Sequence, residues 1–391
     1  MKRLIFILYA WLFIITIQAC RKDSGIGPVY NDGIAPGSVS NPIVENLPGA
    51  ATITYTLPND ADLLYVKAQY TTKQGVVRET KATPYNNSLT VVGFADTSAY
   101  QVKLYAVDKG ENVSPSITVT IHPKKPPYLI IRDSLKTLPD FGGINVAFAN
   151  EGKDNIAIVV LSTDSLGSFV PFNTYYTNLQ KGDFTTRGFK AVKTKFGIYI
   201  RDRWDNRSDT LLVDLTPYFE TILDRTKMKG LALPGDAPLG YNGSISFLFD
   251  GILISNSNYY HTGDAGRMPQ WFTYDMGLTA KISRLVWWMR NDFYYNLHNP
   301  RTMEIWGSNN PSPDGSWTNW VLLAAHEQIK PSGLPNGQLS QADVDAATAG
   351  ETVTFSLNTP AVRYIRFKTL SNWSGGTYCN FNEIGMWGAP Q

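Results

Sequence analysis

The densest grouping of residues able to hold a ligand is the stretch RNDFYYNLHN, Arg290 to Asn299. A sugar site needs an aromatic platform for the apolar face of the ring and a few polar groups that fix hydroxyls. Tyr294 or Tyr295 offers the platform, and Arg290, Asn291 and His298 offer the hydrogen bonds. Trp373, in LSNWSGGTY, is a second platform, because its Ser and Gly neighbours mark a loop tip. An alternative arrangement folds Phe293 and one tyrosine inward and pairs Arg290 with an acid.

Motifs that assemble catalytic groups are absent: there is no HExxH, no GxSxG, no phosphate-cradling Gly loop and no CxxC. His122 lies in a proline-rich hinge, and His261, His298 and His326 are read as three separate loops, a spacing unlike a zinc site. Paired carboxylates for glycoside hydrolysis need only meet in space, so their spacing along the chain is silent. The reading is a binding protein and not an enzyme.

The elements that would position these residues read as strands. Trp271, Trp287, Trp306 and Trp387 fall within strand patterns and are expected to pack. QWFTYDMG, ISRLVWWMR, RTMEIWGSN, VTFSLN, VRYIRFKTL and NEIGMWG, together with SISFLFDG, predict an all-β domain over 223–391. Upstream, YQVKLYAVDK alternates Val102, Leu104 and Ala106 with polar or amphipathic neighbours, the pattern of a half-buried strand. It belongs to a β domain over 42–122, followed by the proline-dense HPKKPP. A second β-sandwich over 123–222 repeats the first: INVAFANEGKDNIAIVVLS parallels ITYTLPNDADLLYVKAQY, and FGIYIRDRWDNRSD parallels YQVKLYAVDKGENVSP. Thr216-Pro217 is expected to start a short helical turn. Arg201, Asp202, Arg203, Trp204 and Asp205 form a dense polar turn, expected as a solvated rim, with Trp204 able to extend a binding surface.

With 35 Lys and Arg against 33 Asp and Glu, the charge is nearly balanced, which argues against nucleic acid as partner. The first residues carry Lys2, Arg3, an apolar run from Leu4 to Ile17 and Ala19-Cys20, the plan of an export signal over 1–19. A Gly-, Pro- and Ser-rich stretch over 20–41 reads as a flexible tether. Cys379 is the only other cysteine, so with Cys20 modified no intramolecular disulfide forms.

Several of these segments resemble known families. IQAC resembles the lipobox of bacterial lipoproteins, whose cysteine is acylated, and this implies a lipid anchor on Cys20. The order YQVKLYAVDKGENVSP after short strands resembles a fibronectin type III-like sandwich. The ordered series FDG, WFTYDMG, MEIWGSN, VRYIRFK and NEIGMWG resembles the discoidin, or coagulation-factor type C, family of galactose-binding-like domains. That resemblance implies a jelly roll binding glycans or lipids through loops at one end. It also implies a structural Ca²⁺ ion, for which Asp250, an amide or carbonyl near Asn256, and Glu383 match, although the apolar insert Ile252 to Ile254 departs from the pattern. The whole order is similar to surface lipoproteins encoded beside outer-membrane glycan importers of Bacteroidetes-type bacteria. It implies a lipid-anchored outer-membrane protein at the cell surface, binding polysaccharide or oligosaccharide. The alternative is a structural or adhesive role with a partner protein such as an importer subunit.

Overall fold

The computed structural model describes residues 33–391, so the export segment, Cys20 and most of the tether lie outside the described residues. Regular structure in that span is dominated by strands, and the fold is all-β.

The first core belongs to β1 (Ser40–Leu47), β2 (Ala50–Thr56), β3 (Leu63–Thr71), β4 (Val77–Ala82), β5 (Ser88–Val92), β6 (Tyr100–Asp108) and β7 (Ile117–Ile121). They form a three-stranded sheet ordered β1-β2-β5 and a four-stranded sheet ordered β4-β3-β6-β7. In β6 the alternation read from sequence is realised: Val102, Leu104 and Ala106 are fully buried, while Gln101 and Lys103 face water. Val39 is buried as well, so compact structure begins a little before Pro42.

The second core opens with α1 (Pro127–Ser134), whose first-turn proline lacks only an N–H that the helix would leave unpaired. Then follow β8 (Lys136–Asp140), β9 (Gly143–Ala149), β10 (Ile156–Thr163), β11 (Phe169–Thr177), β12 (Lys181–Arg187), β13 (Thr194–Asp202) and β14 (Leu211–Leu215). Their sheets, β12-β9-β8 and β11-β10-β13-β14, reproduce the strand order of the first sandwich. No helical turn forms at Thr216-Pro217; the chain stays extended there, and Tyr218 bridges Phe141 in parallel.

Polar contacts tie the three cores together. Tyr128 Oη donates to the Ala95 carbonyl at 2.7 Å, and Trp204 sits so close to Gly93 that a Cβ there would lie 3.1 Å from the indole. Further along, Glu220 is nearly buried and accepts from Arg187 at 3.1 Å and from the Ser283 hydroxyl at 2.5 Å, with Arg284 at 3.5 Å. The charge of a carboxylate with that many donors is paired where it stands.

The third core contains β15 (Thr221–Ile222), β16 (Lys229–Gly230), β17 (Tyr260–His261), β18 (Gln270–Trp288), β19 (Pro300–Ser308), β20 (Val321–Glu327), α2 (Gln341–Ala349), β21 (Glu351–Thr354), β22 (Val362–Asn372), β23 (Asn380–Phe381) and β24 (Glu383–Pro390). The large sheet runs β15-β24-β18-β22-β19-β20, and β17 pairs only with β23. QWFTYDMG and ISRLVWWMR are two halves of β18: Gln270 to Asp275 pairs with β22, and Ala280 to Trp288 pairs with β24. Gly277 lies between the halves at φ +74, a conformation costly for any other residue. SISFLFDG is not a strand. Its Ile245–Phe249 segment is a 3₁₀ helix, with the Ser244 side chain accepting from the Ser246 N–H and with Leu248 and Phe249 buried.

Trp287 is fully buried in this core. Trp271, Trp306 and Trp387 are half-buried on sheet faces under cations: Arg267 at 5.3 Å, Lys368 at 5.8 Å and Arg284 at 4.2 Å from the ring centres.

Candidate functional site

The loop after β18 is held from within by Asn299, which is completely buried. Its Oδ1 accepts the Arg290 N–H at 2.9 Å and its Nδ2 donates to the Phe293 carbonyl at 2.7 Å. The loop's far end is clamped to the segment before β23: Ser374 N–H donates to the Leu297 carbonyl, Trp373 N–H to Asn299, and Asn380 N–H to His298. Sequence reasoning missed Asn299 and this clamp, because only the folded backbone shows which amides lack partners.

Held this way, Arg290 and His298 enter an aromatic cluster. The Arg290 guanidinium lies 4.1 Å over the Tyr259 ring and 5.0 Å from that of Phe293. His298 faces His261 at 5.6 Å and Tyr378 at 5.1 Å between ring centroids. His261 also meets Tyr241 at 4.6 Å and Tyr378 at 5.9 Å. His261 is therefore not in a loop: it occupies β17, opposite Asn380 of β23. His326 likewise belongs to β20, where its Nε2 meets Glu351 at 2.6 Å. Tyr241 is 60 % exposed and gives the cluster an open edge. Tyr241, Tyr259, His261 and Tyr378 were not singled out as ligand-binding from sequence; they come from three segments that only the β17–β23 pairing unites.

Two nitrogens in this cluster, Arg290 Nε and His298 Nδ1, are buried and have no hydrogen-bond partner among the described residues. Burial holds both imidazoles below their ordinary pKa, and the charge of Arg290 adds to this at each ring. Both are thus neutral at pH 7. The His261 Nδ1 lies 2.7 Å from the Thr262 carbonyl, to which it donates as a neutral ring. The cluster combines aromatic faces, a guanidinium and a neutral imidazole, a set suited to hydroxyl-bearing rings.

The remaining expected residues are placed as follows. Asn291 joins the cluster to the neighbouring turn: its Nδ2 donates to Asn256 Oδ1 at 2.8 Å, and its Oδ1 accepts from Asn382 at 3.3 Å. Tyr294 is half-buried and packs on the core. Tyr295 turns inward, is 1 % exposed and offers no free ring face, because a left-handed backbone at φ 50 swings it under Trp373. Trp373 is half-buried, edge-on to Tyr295 at 5.4 Å, and its indole N–H donates to Gln328 at 2.8 Å. Arg301 stands 5.2 Å from its ring, so the cation over Trp373 is Arg301 and not Arg290.

Asp250 and Glu383 are brought together. The Gly251 N–H donates to Glu383 Oε2 at 2.9 Å, and Asp250 accepts from the Ile252 N–H at 2.8 Å and from Asn258 Nδ2 at 2.9 Å. Glu383 is completely buried; its Oε1 has no hydrogen bond among the described residues, and Arg225 stands 3.9 Å away. Burial pushes this carboxyl up to about 8, the Gly251 N–H and Arg225 oppose the shift, and the neighbouring Asp250 adds to it. An orphaned buried carboxylate oxygen beside a second carboxylate fits a hard divalent cation. Among the described residues no group of three or more His, Cys, Asp or Glu side chains gathers in that way, so further ligands would be carbonyls, amides or water. The Asn256 amide oxygen is already engaged by Asn291, and Asn258 is the amide that touches Asp250.

Residues 36–123, 124–226 and 249–388 match three domain families, DUF4959, DUF5126 and DUF5000, each described as a domain of unknown function. No curated protein matches the chain. Among solved structures, CBM32-3 from a family 31 glycoside hydrolase of Clostridium perfringens is 15 % identical, covering 43 % of this chain and 94 % of its own, with a TM-score of 0.33. The C-terminal domain of a chitobiase from Bacteroides fragilis is 16 % identical, covering 44 % and 99 %, with a TM-score of 0.31. A SusE-like protein, BT2857, is 37 % identical over 68 % of this chain and 100 % of its own length, with a TM-score of 0.45. That identity, sustained over the whole of the solved protein, shows that the chain belongs to the family of SusE-like proteins.

Proposed function

We propose that the protein is a non-catalytic, glycan-binding protein of the cell surface. The observation that carries this reading is the pair of unpartnered nitrogens, Arg290 Nε and His298 Nδ1, set among the rings of Tyr241, Tyr259, His261 and Tyr378. Aromatic faces receive the apolar side of a pyranose ring, and the guanidinium and imidazole receive its hydroxyls. A buried donor left unpaired costs about 1–3 kcal/mol, so a ligand or ordered water that satisfies it is favoured. Membership in the SusE-like family supports the same reading.

In this account acylated Cys20, at the end of the lipobox-like segment IQAC, tethers the protein to the outer membrane. The two sandwiches, fibronectin type III-like in strand order, set the height of the last, discoidin-like domain, which captures polysaccharide or oligosaccharide for an uptake system. Ca²⁺ held by Asp250 and Glu383 braces the turn that Asn291 links to the cluster. A glycan array probed with the full chain tests the reading: binding of at least one glycan class, weakened in Arg290→Ala, is expected, and failure to bind any glycan overturns it.

A further inference from the structure

The two sandwiches share more than topology. In the first, the turn after β6 is built by Asp108, which accepts the Asn112 N–H at 2.8 Å and the Asn112 side-chain amide at 3.0 Å, while Ser114 Oγ accepts the Ala106 N–H. In the second, Asp202 accepts the Asn206 N–H at 2.9 Å and the Asn206 side-chain amide at 2.8 Å, while Ser208 Oγ accepts the Ile200 N–H. The same scaffold thus accounts for Asp202, Asn206 and Ser208. It does not account for Arg201 and Arg207, which bridge each other where the first sandwich has Val107 and Val113.

Of these two, Arg201 lines a groove. Ile156, Ile158 and Val160 of β10 point into the core, so Ala157 lies on the opposite face of the sheet by strand alternation, where it is 4 % exposed at the floor between its neighbours. Ala157 is paired laterally with Tyr176 of β11 on one side and Arg201 of β13 on the other. One small residue between two long ones makes a trough, and the cavity there measures about 660 Å³. Its walls include Asn155, Tyr176, Asn178, Arg201, Arg203 and Asp205. Tyr176 is 71 % exposed, and its hydroxyl accepts from Arg201 at 3.3 Å. Arg201 also pairs with Asp205 at 3.3 Å, so the groove carries donors and acceptors with its charge locally offset. Trp204 does not line this groove: it is pressed on Gly93, and the Arg203 guanidinium lies 4.3 Å over its ring.

We infer that this groove of the middle sandwich is a second binding site for neutral oligosaccharide, with Tyr176 as the stacking platform and Arg201, Asn155, Asn178 and Asp205 meeting hydroxyls. A cavity of that size, with an exposed ring, side-chain amides and a compensated ion pair, suits an uncharged, hydroxyl-rich ligand better than an anion or an apolar segment. The inference rests on the glycan-binding reading of the protein, and it places two sites on one chain, which raises avidity for a polymeric ligand.

The test uses the full chain and a fixed panel of D-galactose, D-glucose, D-mannose and N-acetyl-D-glucosamine with their β-linked disaccharides, followed by calorimetry and ligand-observed NMR. The Arg290→Ala/His298→Ala double variant should still bind at least one panel sugar with about one equivalent. Adding Tyr176→Ala or Arg201→Ala should weaken that residual binding at least tenfold with no change in melting temperature, whereas Tyr176→Phe, which keeps the ring, should retain most of it. If wild type binds but the double variant binds nothing, the groove is not a sugar site while the glycan-binding reading stands. Unchanged residual binding in both groove variants also overturns the inference, as expected if the groove meets a protein partner instead. If wild type binds neither a panel sugar nor any glycan of the array, both readings fall; if it binds an array glycan alone, the same comparison of variants on that glycan decides the groove.

Discussion

The guanidinium of Arg290 lies 4.1 Å over the ring of Tyr259, and the two residues reach that position from opposite sides of β18 in the chain. The contact fixes a flexible cation over an aromatic face and leaves its Nε without a partner among the described residues. It also separates residues that hold the fold from residues free to hold a ligand.

Tyr295 and Tyr259 should therefore behave in opposite ways. Tyr295→Ala leaves a cavity under Trp373 and is expected to cost about 3–5 kcal/mol of folding free energy. Tyr259→Ala should cost under about 1 kcal/mol of stability, because its ring is half-exposed. Chemical denaturation of the two variants checks this; equal losses would contradict the assignment of Tyr295 to the core.

The two imidazoles predict a pH dependence with a definite sign. In the unfolded chain a histidine takes up its proton near pH 6.5, about its ordinary value, while the folded protein holds His261 and His298 below it. Their contribution to stability is then complete above the unfolded value and is lost as pH falls toward the folded one. The melting temperature of wild type minus that of His298→Gln should accordingly fall between pH 7 and pH 5. A difference that stays flat over this range contradicts the burial of His298 as a neutral ring.

Calcium should stabilise the last domain through Asp250 and Glu383. A ligand that binds only the native state at a hundred times its Kd adds about 2.7 kcal/mol, which appears as a higher melting temperature. Chelation should reverse the increase, and Glu383→Gln should abolish the response while leaving the Gly251 contact in place. Superimposable melting curves with calcium and with chelator would rule the site out.

Cys20→Ser should release the protein from the membrane fraction and remove acyl labelling, because one cysteine after the apolar export segment is the proposed acylation point. Retained labelling in that variant would overturn the anchor.

Much of the strand pattern was legible because half-buried strands announce themselves with period two, as in β6, where Val102, Leu104 and Ala106 point inward. The paired turns of the two sandwiches were legible too, since the shared Asp and Asn positions leave a visible repeat. SISFLFDG misled because S-I-S-F alternates like the start of a strand, whereas its 3₁₀ turn buries the adjacent pair Leu248 and Phe249. The candidate site was half legible. Arg290, Asn291 and His298 are neighbours in one loop, but Tyr259, His261 and Tyr378 join them only through long-range pairing of two very short strands. Tyr295 and Trp373 looked alike to Tyr294 in sequence, because local composition does not say which ring a left-handed backbone turns inward.

The central claim is that the Arg290, Tyr259 and His298 cluster binds glycan, and the most direct measurement is the affinity of the full chain for a glycan found on an array, compared between wild type, Tyr259→Ala and Arg290→Ala. The account predicts that each variant loses about 1–3 kcal/mol of binding, the usual loss for a contact anchor, while its melting temperature stays near that of wild type. Wild-type affinity in both variants, or no affinity of the wild-type chain for any glycan, would contradict it.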